Sequence, residues 1–433
     1  MRKYLDIHPE DGELFKQQLC QASIGEGHAV VLDSNGFKAR GHQQGKRHYD
    51  FIAGLQALEP PCQDFHQLHS FHHQHNDWLL GFLSYDLKNE LEDLSSQLPD
   101  RIGMPVLNFF RPRYLFLYDG DKWQVSYSEP EDDEASVLAY IDSLMPYRPA
   151  GELPVNLKLN QQVSHAEYLE AIEQILWHIQ RGDIYELNYC MEFFIQHLDT
   201  EPHWVYQRLR EISPTPFSAF VKCHDKFLMG ASPERYLKKE GCRLVSQPIK
   251  GTSPRHSNPL IDKGNKEYLL QSEKERAENI MICDLVRNDL SQVAARGTVK
   301  VDELCGIYSF RQVHQMISTI SAELDEGKTW LDAIKASFPM GSMTGAPKIS
   351  AMQLIEKYEK SRRGLYSGAV GYVSPNGDFD FNVVIRSVLY NRKKQCASFM
   401  VGGAITNQSD AQKEYDECLL KASAIMKVFN IKP

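Results

Sequence analysis

The sequence has no long apolar run. Its first residues, MRKYLDIHPEDGELF, become acidic within ten positions, where a signal peptide needs a continuous apolar stretch. No later segment approaches the ~18 consecutive apolar residues of a membrane-spanning helix. These absences argue against a secreted or membrane-embedded protein, and we expect a cytoplasmic one.

The chain also lacks paired cysteines and a basic surface. None of its nine cysteines falls in a C-x-x-C pair, so we expect reduced thiols that mostly fill the core. None stands in the G-x-C-x-G setting of a glutamine amidotransferase nucleophile, which excludes a glutaminase centre of that kind from the sequence. Lysine and arginine are scattered and the net charge is −9, so we do not expect nucleic acid as a partner.

At 433 residues, with 42% hydrophobic and 24% charged side chains, the chain is large for a single compact core. The acidic segment SEPEDDEAS (128–136) and the proline-containing segment MPYRPAGELPVN (145–156) are typical of a surface connection. We therefore predict an amino-terminal subdomain over residues 1–150 and a catalytic domain over residues 151–433.

Hydrophobic periodicity predicts helices mixed with strands, and hence an α+β protein. Ser164 and Glu167 form a capping-box pattern that starts an amphipathic helix, which ends at Gly182. Three further helices are predicted, over 265–289, from Pro347, and after Ser409. Strands are predicted over 28–34, 111–120, 242–249, 379–390 and 396–403.

Two of the predicted helices carry carboxylates three residues apart, Glu275 with Glu278 and Glu414 with Glu417. Residues at this spacing share a helix face. If the two faces met, a hard divalent cation such as Mg²⁺ would relieve the repulsion between the four acids. The spacing is equally that of acids on solvated helix faces, which is the commoner case.

Lysine, arginine and glutamate side chains in the second part of the chain could supply chemistry. Lys250, between prolines in SQPIKGTSPR, would become a nucleophile or base if it were desolvated. Glu234, after a Ser-Pro turn, would suit a general acid if its pKa were raised. Arg386 and Lys421 could bind a carboxylate. The alternatives are a solvated loop position for Lys250, a surface or ion-pair role for Arg386 and Lys421, and a helix N-terminus for Glu234.

Two other segments indicate no specific site. GSMTGAPK (341–348) lacks the spacing and ending of a phosphate loop. The tract His66 to His75 carries five histidines without cysteine or a downstream pair of ligands, which is typical of a solvated tract rather than of a zinc site.

Taken in order, the motifs of residues 157–433 resemble those of the chorismate-utilising enzymes, which include anthranilate, aminodeoxychorismate, isochorismate and salicylate synthases. These motifs are GDIYELN, SPERY, PIKGTSPR, KERAENIMICDLVRNDL, FPMGSMTGAPK, RRGLYSGAVGY, VVIRS and KEYDECLLKA. GFLSYDL (81–87) resembles the amino-terminal region of the same family. The resemblance implies an α/β sandwich of two large antiparallel sheets packed face to face, with helices outside.

The family resemblance also implies roles for individual residues. PIKGT resembles the aminodeoxychorismate-forming members, in which the lysine, here Lys250, attacks ring carbon 2 of chorismate as Glu234 protonates the departing 4-hydroxyl. Ammonia then enters at carbon 4. The remaining implied site residues are the Mg²⁺ ligands Glu278 and Glu417 with Glu275 and Glu414 beside them, Thr252 and His314 in the catalytic group, and Tyr366, Arg386, Gly402, Gly403, Ala404, Lys421 and Ser342 around the substrate. In this resemblance Gly402 to Ala404 form a turn that supplies backbone donors.

The sequence also departs from the family pattern. Glu186 stands where many relatives have Gln and isochorismate-forming ones have Lys, which argues against water as the nucleophile. Asn279 replaces a frequent His, and Ala404 a frequent Gly. Ammonia is expected from a separate glutamine amidotransferase subunit. The alternatives are an anthranilate synthase large subunit, a non-catalytic scaffold that kept the fold, and a pyridoxal phosphate enzyme with a Schiff-base lysine.

Overall fold

The computed structural model describes residues 2–37, 49–129, 131–149, 151, 157–311 and 313–431. The described helices are α1 (Gly12–Ala22), α2 (Phe65–His75), α3 (Lys88–Leu91), α4 (Glu134–Asp142), α5 (His165–Arg181), α6 (Pro202–Ile212), α7 (Pro259–Gln271), α8 (Glu273–Ser291), α9 (Trp330–Ser337), α10 (Lys348–Tyr358) and α11 (Ala411–Val428). None of them is both long and apolar enough to cross a membrane.

The described strands run in the order β1 (Arg2–Ile7), β2 (His28–Asp33), β3 (Phe51–Ala57), β4 (Leu79–Leu83), β5 (Leu107–Phe110), β6 (Pro112–Tyr118), β7 (Trp123–Ser128), β8 (Leu159–Gln161), β9 (Glu186–Gln196), β10 (Phe217–Cys223), β11 (Lys226–Ser232), β12 (Arg235–Glu240), β13 (Arg243–Gln247), β14 (Ile249–Pro254), β15 (Lys300–Ser309), β16 (Val313–Glu323), β17 (Gly345–Ala346), β18 (Ala369–Val373), β19 (Phe379–Asn382), β20 (Ser387–Asn391) and β21 (Cys396–Ile405).

The strands form two antiparallel sheets. The larger has twelve strands in the order β1-β7-β6-β3-β2-β10-β11-β20-β21-β9-β17, with β8 paired to β9. The smaller has nine strands in the order β14-β16-β13-β12-β19-β18-β4-β5, with β15 paired to β16. This confirms the predicted sandwich of antiparallel sheets.

The core lies in three layers of buried apolar side chains. One layer fills the space between the sheets, where Val30 and Leu228 of the larger sheet meet Phe82 and Val370 of the smaller. A second lies between the larger sheet and helices that include α5 and α11, and the third between the smaller sheet and helices that include α8 and α9. Eight of the nine cysteines are buried thiols and Cys242 is exposed, which confirms their predicted role as core filler.

The predicted domain boundary falls between residues 150 and 151, and residues 150 and 152–156 lie outside the described part of the chain. The division of the chain there stays a prediction. Strands from both sides of it share both sheets, because β2 pairs with β10 in the larger sheet and β4 pairs with β18 in the smaller.

Local chemistry explains where several elements begin and end. α5 starts at Ser164, whose side chain and that of Glu167 form the predicted capping box, and ends at Gly182 in the left-handed conformation. The prediction of one helix over 265–289 was wrong, because Ser272 ends α7 and caps α8. The prediction of one strand over 379–390 was also wrong, since β19 and β20 are separated by 383–386 and Arg386 has a φ of +50°.

Candidate functional site

Lys250 lies on β14 at the edge of the smaller sheet and reaches across to the larger one. Its Nζ donates a hydrogen bond to Oε1 of Glu186, the first residue of β9, at 2.8 Å. The Glu186 side chain is fully buried and that of Lys250 is 10% exposed, so this is a buried ion pair. The second oxygen of Glu186, Oε2, is buried and has no hydrogen-bond donor among the described residues.

The pKa of Lys250 differs from the sequence-based hypothesis. Burial lowers it, but the carboxylates of Glu186 and Glu278 outweigh burial, and the net result is a raised pKa. These carboxylates favour the ammonium form of Lys250, against the sequence-based hypothesis that desolvation favours a neutral amine. An ammonium needs a proton acceptor before it can act as a nucleophile.

The backbone around Lys250 allows α8 to approach closely. Gly251 has a φ of +95°, and a Cβ at this position would lie 2.9 Å from Oε2 of Glu275. Asn279 of α8 donates hydrogen bonds to the carbonyls of Lys250 and Met316, at 3.3 and 3.2 Å. Asn279, noted above as a departure from the family pattern, thus joins α8 to β14 and β16.

Glu234 lies between β11 and β12, in the interior of the molecule. Its Oε1 accepts a hydrogen bond from the Ser342 hydroxyl at 2.7 Å, and the residue is 3% exposed. Burial raises the pKa of Glu234 to about 7, although Ser342, Lys250 and Arg386 each lower it. A carboxyl that is substantially protonated near neutral pH is suited to general acid chemistry. The alternative position at a helix N-terminus is excluded.

The four acids of α8 and α11 lie near one another. Burial raises the pKa of Glu278 to about 7, and burial followed by the charge of Glu417 raises that of Glu275. Glu414 is buried, whereas the Glu417 side chain is 47% exposed and its pKa is lowered by Lys421. The acids of α8 and α11 therefore act on one another electrostatically, which the spacing alone had left open.

Lys274 stands between the two acid pairs. Its Nζ lies 3.4 Å from Oε1 of Glu414 and 3.9 Å from Oε1 of Glu278, and so connects α11 to α8. Oε1 of Glu278 is buried and has no hydrogen-bond donor among the described residues. Sequence reasoning missed Lys274, although its position four residues before Glu278 was a usable signal.

The acid cluster can be tested as a cation site. Within the described residues, no three acidic, histidine or cysteine side chains are grouped closely enough to enclose a metal ion as they stand. The donors are nevertheless carboxylate oxygens, which hard divalent cations prefer. Oε1 of Glu278 has no hydrogen-bond donor among the described residues, and it lies 3.9 Å from Nζ of Lys274, which connects the two helices. This donor set fits Mg²⁺.

The segment Gly402 to Ala404 was expected to form a turn, and that expectation was wrong. These residues belong to β21 and pair with Asn188 to Cys190 of β9. A Cβ at Gly403 would lie 3.2 Å from Oε2 of Glu414, so the glycine allows α11 to pack against the strand. The carbonyl of Gly402 accepts a hydrogen bond from Lys421 at 2.8 Å.

Arg386 and Tyr366 lie inside the sandwich. Arg386 follows the break after β19, in the left-handed region, and is partly buried; its charge acts on Glu234. Tyr366 is 4% exposed, and its hydroxyl lies 3.7 Å from Sγ of Cys190. Arg386 is therefore not an exposed surface residue.

His314 and Thr252 lie on the paired strands β16 and β14, but in different surroundings. His314 is buried, with Nδ1 at 2.8 Å from the Ser309 hydroxyl and Nε2 at 3.1 Å from Oδ1 of Asp262 on α7. Thr252 is exposed. Asp262, which fixes the His314 ring, was not found from the sequence, because α7 was not predicted to begin before residue 265.

The histidine tract and the segment 341–348, which the sequence analysis did not assign to a specific site, both pack against other parts of the fold. The histidines of 66–75 lie on α2, where His72 packs edge-on against Trp330. The segment 341–348 forms a 3₁₀ helix (Gly341–Met343), β17 and the first residue of α10, and it brings Ser342 to Glu234.

Known proteins resemble this chain along most of its length. A family model described as chorismate binding enzyme matches residues 18–427. Anthranilate synthase component 1 of Thermus thermophilus is 35% identical over 81% of this chain and 76% of that protein. Aminodeoxychorismate synthase component 1 of Salmonella typhimurium is 34% identical over 80% of this chain and 75% of that protein.

Solved structures show the same fold. The menaquinone-specific isochorismate synthase of Escherichia coli has a TM-score of 0.78 at 17% identity, covering 99% of this chain and 95% of that one. Anthranilate synthase component I of Streptococcus pneumoniae has a TM-score of 0.72 at 23% identity, covering 98% and 92%. The match of the family model to nearly the whole sequence, and of the relatives to four-fifths of it, establishes that this chain belongs to the chorismate binding enzyme family.

Proposed function

We propose that this enzyme is an aminodeoxychorismate synthase large subunit, which converts chorismate and ammonia to 4-amino-4-deoxychorismate, the precursor of 4-aminobenzoate and folate. The observation that carries the proposal is Lys250, a buried amine on β14 whose charge acts on the buried carboxyl of Glu234. A nucleophile and a proton donor are both available in one water-poor site.

The proposed reaction uses these two residues in turn. The Lys250 amine attacks ring carbon 2, the two ring double bonds move to C1–C6 and C4–C5, and the 4-hydroxyl leaves as water with the proton of Glu234. Ammonia then attacks carbon 4 as the bond between carbon 2 and the lysine breaks. Ser342 keeps the Glu234 carboxyl in place, since it donates a hydrogen bond to Oε1.

Positive charge near the acids would bind the dianionic substrate. Arg386 and Tyr366 would hold the enolpyruvyl carboxylate, with Thr252, His314, Lys421 and the strand from Gly402 to Ala404 around them. Glu278 and Glu417, with Glu275 and Glu414 beside them, would hold Mg²⁺, which when bound would supply positive charge for the ring carboxylate.

The ammonia is proposed to come from a separate glutamine amidotransferase subunit. Eight of the nine thiols are buried and none stands in a nucleophile motif of that class, so this chain offers no residue for glutamine hydrolysis by that chemistry. The relative from Salmonella typhimurium is named as a component 1, which supports a second component.

The direct test is incubation of the purified chain with chorismate and Mg²⁺, with either an ammonium salt or glutamine as nitrogen source. Products are separated by chromatography and identified by mass spectrometry before and after an aminodeoxychorismate lyase is added. We expect 4-aminobenzoate only with ammonium and only after the lyase, and we expect Lys250→Ala to lower the rate by roughly 100-fold or more.

Anthranilate synthesis is the second candidate, because a relative of that name is 35% identical to this chain. Release of anthranilate and pyruvate in the same assay would establish it and reject the first proposal. Chorismate left unchanged, with tight binding, would point to a non-catalytic scaffold. Turnover with glutamine by the chain alone would reject the separate amidotransferase.

A further inference from the structure

Glu186 stands out among the buried carboxylates of the site. It is 0% exposed, and it opens β9 where that strand pairs with the two-residue strand β17. One of its oxygens accepts a hydrogen bond from Lys250, and the other is buried without a donor among the described residues. A carboxylate that lacks a donor on one oxygen is costly to bury, so its presence calls for a physical reason.

Glu186 is paired with Lys250, and the proposed reaction requires Lys250 to be a neutral amine. An ammonium has no lone pair, and in a site that excludes bulk water it can lose its proton only to a neighbouring group. Other groups that act electrostatically on Lys250 are Glu234 and Glu278, while Lys250 in turn acts on Glu275, Glu417 and Lys421. Among all these acids, Glu186 is the one within 4 Å of Nζ in the described structure.

We propose that Glu186 positions Lys250 and accepts the proton that its ammonium loses before the amine attacks the chorismate ring. The inference rests on the proposed function, and it assigns the base that deprotonates Lys250 in the proposed reaction. In this proposal the second oxygen of Glu186, Oε2, accepts a hydrogen bond from the ammonia that enters later.

The proton balance closes over one turnover. The proton of Lys250 passes to Glu186, Nζ bonds to carbon 2, and the 4-hydroxyl leaves as water with the proton of Glu234. Ammonia bonds to carbon 4 with its electron pair, and the lysine leaves carbon 2 as a neutral amine. The new C4 ammonium returns a proton to Glu234, and Glu186 returns its proton to Lys250.

The test compares Glu186→Gln, which keeps the shape but cannot take the proton, with Glu186→Asp, which can. Glu192→Gln is the matched control, because Glu192 is also a buried carboxylate of β9 but binds Arg101, Ser361 and Ser398 instead. For each variant, kcat and the KM for chorismate are measured with ammonium between pH 6.5 and 9. Intact-protein mass spectrometry without ammonia follows the adduct on Lys250.

We expect Glu186→Gln to lower kcat and the rate of adduct formation by roughly 100-fold with little change in KM. Its kcat should rise with pH, because the proton must then go to solvent base, and Glu186→Asp should recover part of the rate. Normal kcat and adduct formation in Glu186→Gln would overturn the inference, as would equal losses in Glu186→Gln and Glu192→Gln. If the wild-type chain makes no aminodeoxychorismate at any pH, the proposed function is rejected, and the role of Glu186 is rejected with it.

Discussion

Glu234 shows how burial can set the chemistry of a single residue. The carboxyl lies in the interior, where it accepts a hydrogen bond from Ser342, and burial raises its pKa to about 7. The folded protein therefore binds this proton more tightly than the unfolded chain does. Stability is lost as pH rises from the ordinary range of a glutamate toward 7, because the unfolded chain ionises first.

This proton linkage predicts the behaviour of Glu234→Gln. The amide does not ionise, so the free energy of unfolding of the variant relative to wild type should increase between pH 5 and pH 8, by up to about 3 kcal/mol. Urea denaturation at the two pH values measures it. Activity should fall by roughly 100-fold or more, since the amide cannot donate the proton. A stability difference that does not change with pH would contradict the raised pKa.

Individual site residues could be predicted from the sequence, but their partners and charge states could not. The identity of Lys250 and Glu234 as candidate site residues followed from short motifs. The charge state of Lys250 did not, because its partner Glu186 is 64 positions away and joins it only when β9 and β14 come together. Asp262 was missed for the same reason, as it reaches His314 from a helix whose start was not predicted.

At the scale of elements, α8 and α11 present their acids toward each other. The spacing of three residues predicted a shared face on each helix, and in the structure Lys274 lies within 4 Å of an acid from each helix, Glu278 and Glu414. Lys274 partly neutralises the cluster, but Oε1 of Glu278 still lacks a hydrogen-bond donor among the described residues. Such an oxygen favours a bound cation.

Metal addition should accordingly stabilise the folded chain without substrate. At about 100 times the dissociation constant, Mg²⁺ should add about 2.7 kcal/mol to the free energy of unfolding, seen as a higher Tm in scanning calorimetry. Glu278→Gln should abolish this increase. Glu273→Gln, an exposed position of the same helix, is the control and should retain it. An equal Mg²⁺ effect in both variants would place the cation elsewhere.

Element boundaries show the limits of periodicity. The capping box at Ser164 was readable because both partners are local, and α5 begins there. Ser272 was overlooked as a boundary, since its side chain caps α8 within a continuous polar stretch. The strand prediction over 379–390 failed because β-branched residues favour extension, whereas tertiary packing puts Arg386 in a left-handed conformation.

At the scale of the whole molecule, the family resemblance predicted an antiparallel sandwich, whereas the periodicity of the sequence predicted only a mixture of strands and helices. It could not predict how the amino-terminal segment is used, because strand pairing over long separations leaves no local signal. In the structure that segment supplies β2 as the neighbour of β10 and β4 as the neighbour of β18. Its side chains also fill the layer between the sheets.

This sharing of sheets predicts that residues 151–433 do not fold alone. Without the first 150 residues, β10 and β18 each lose a hydrogen-bonded neighbour, and Leu228 and Val370 lose the apolar partners Val30 and Phe82. The isolated fragment should aggregate or unfold without a cooperative transition, because open edges and apolar faces are exposed together. Co-expression of 1–150 with 151–433 should restore a soluble complex with chorismate-dependent activity. Cooperative thermal unfolding of 151–433 by itself would show instead that the sandwich closes without its amino-terminal strands.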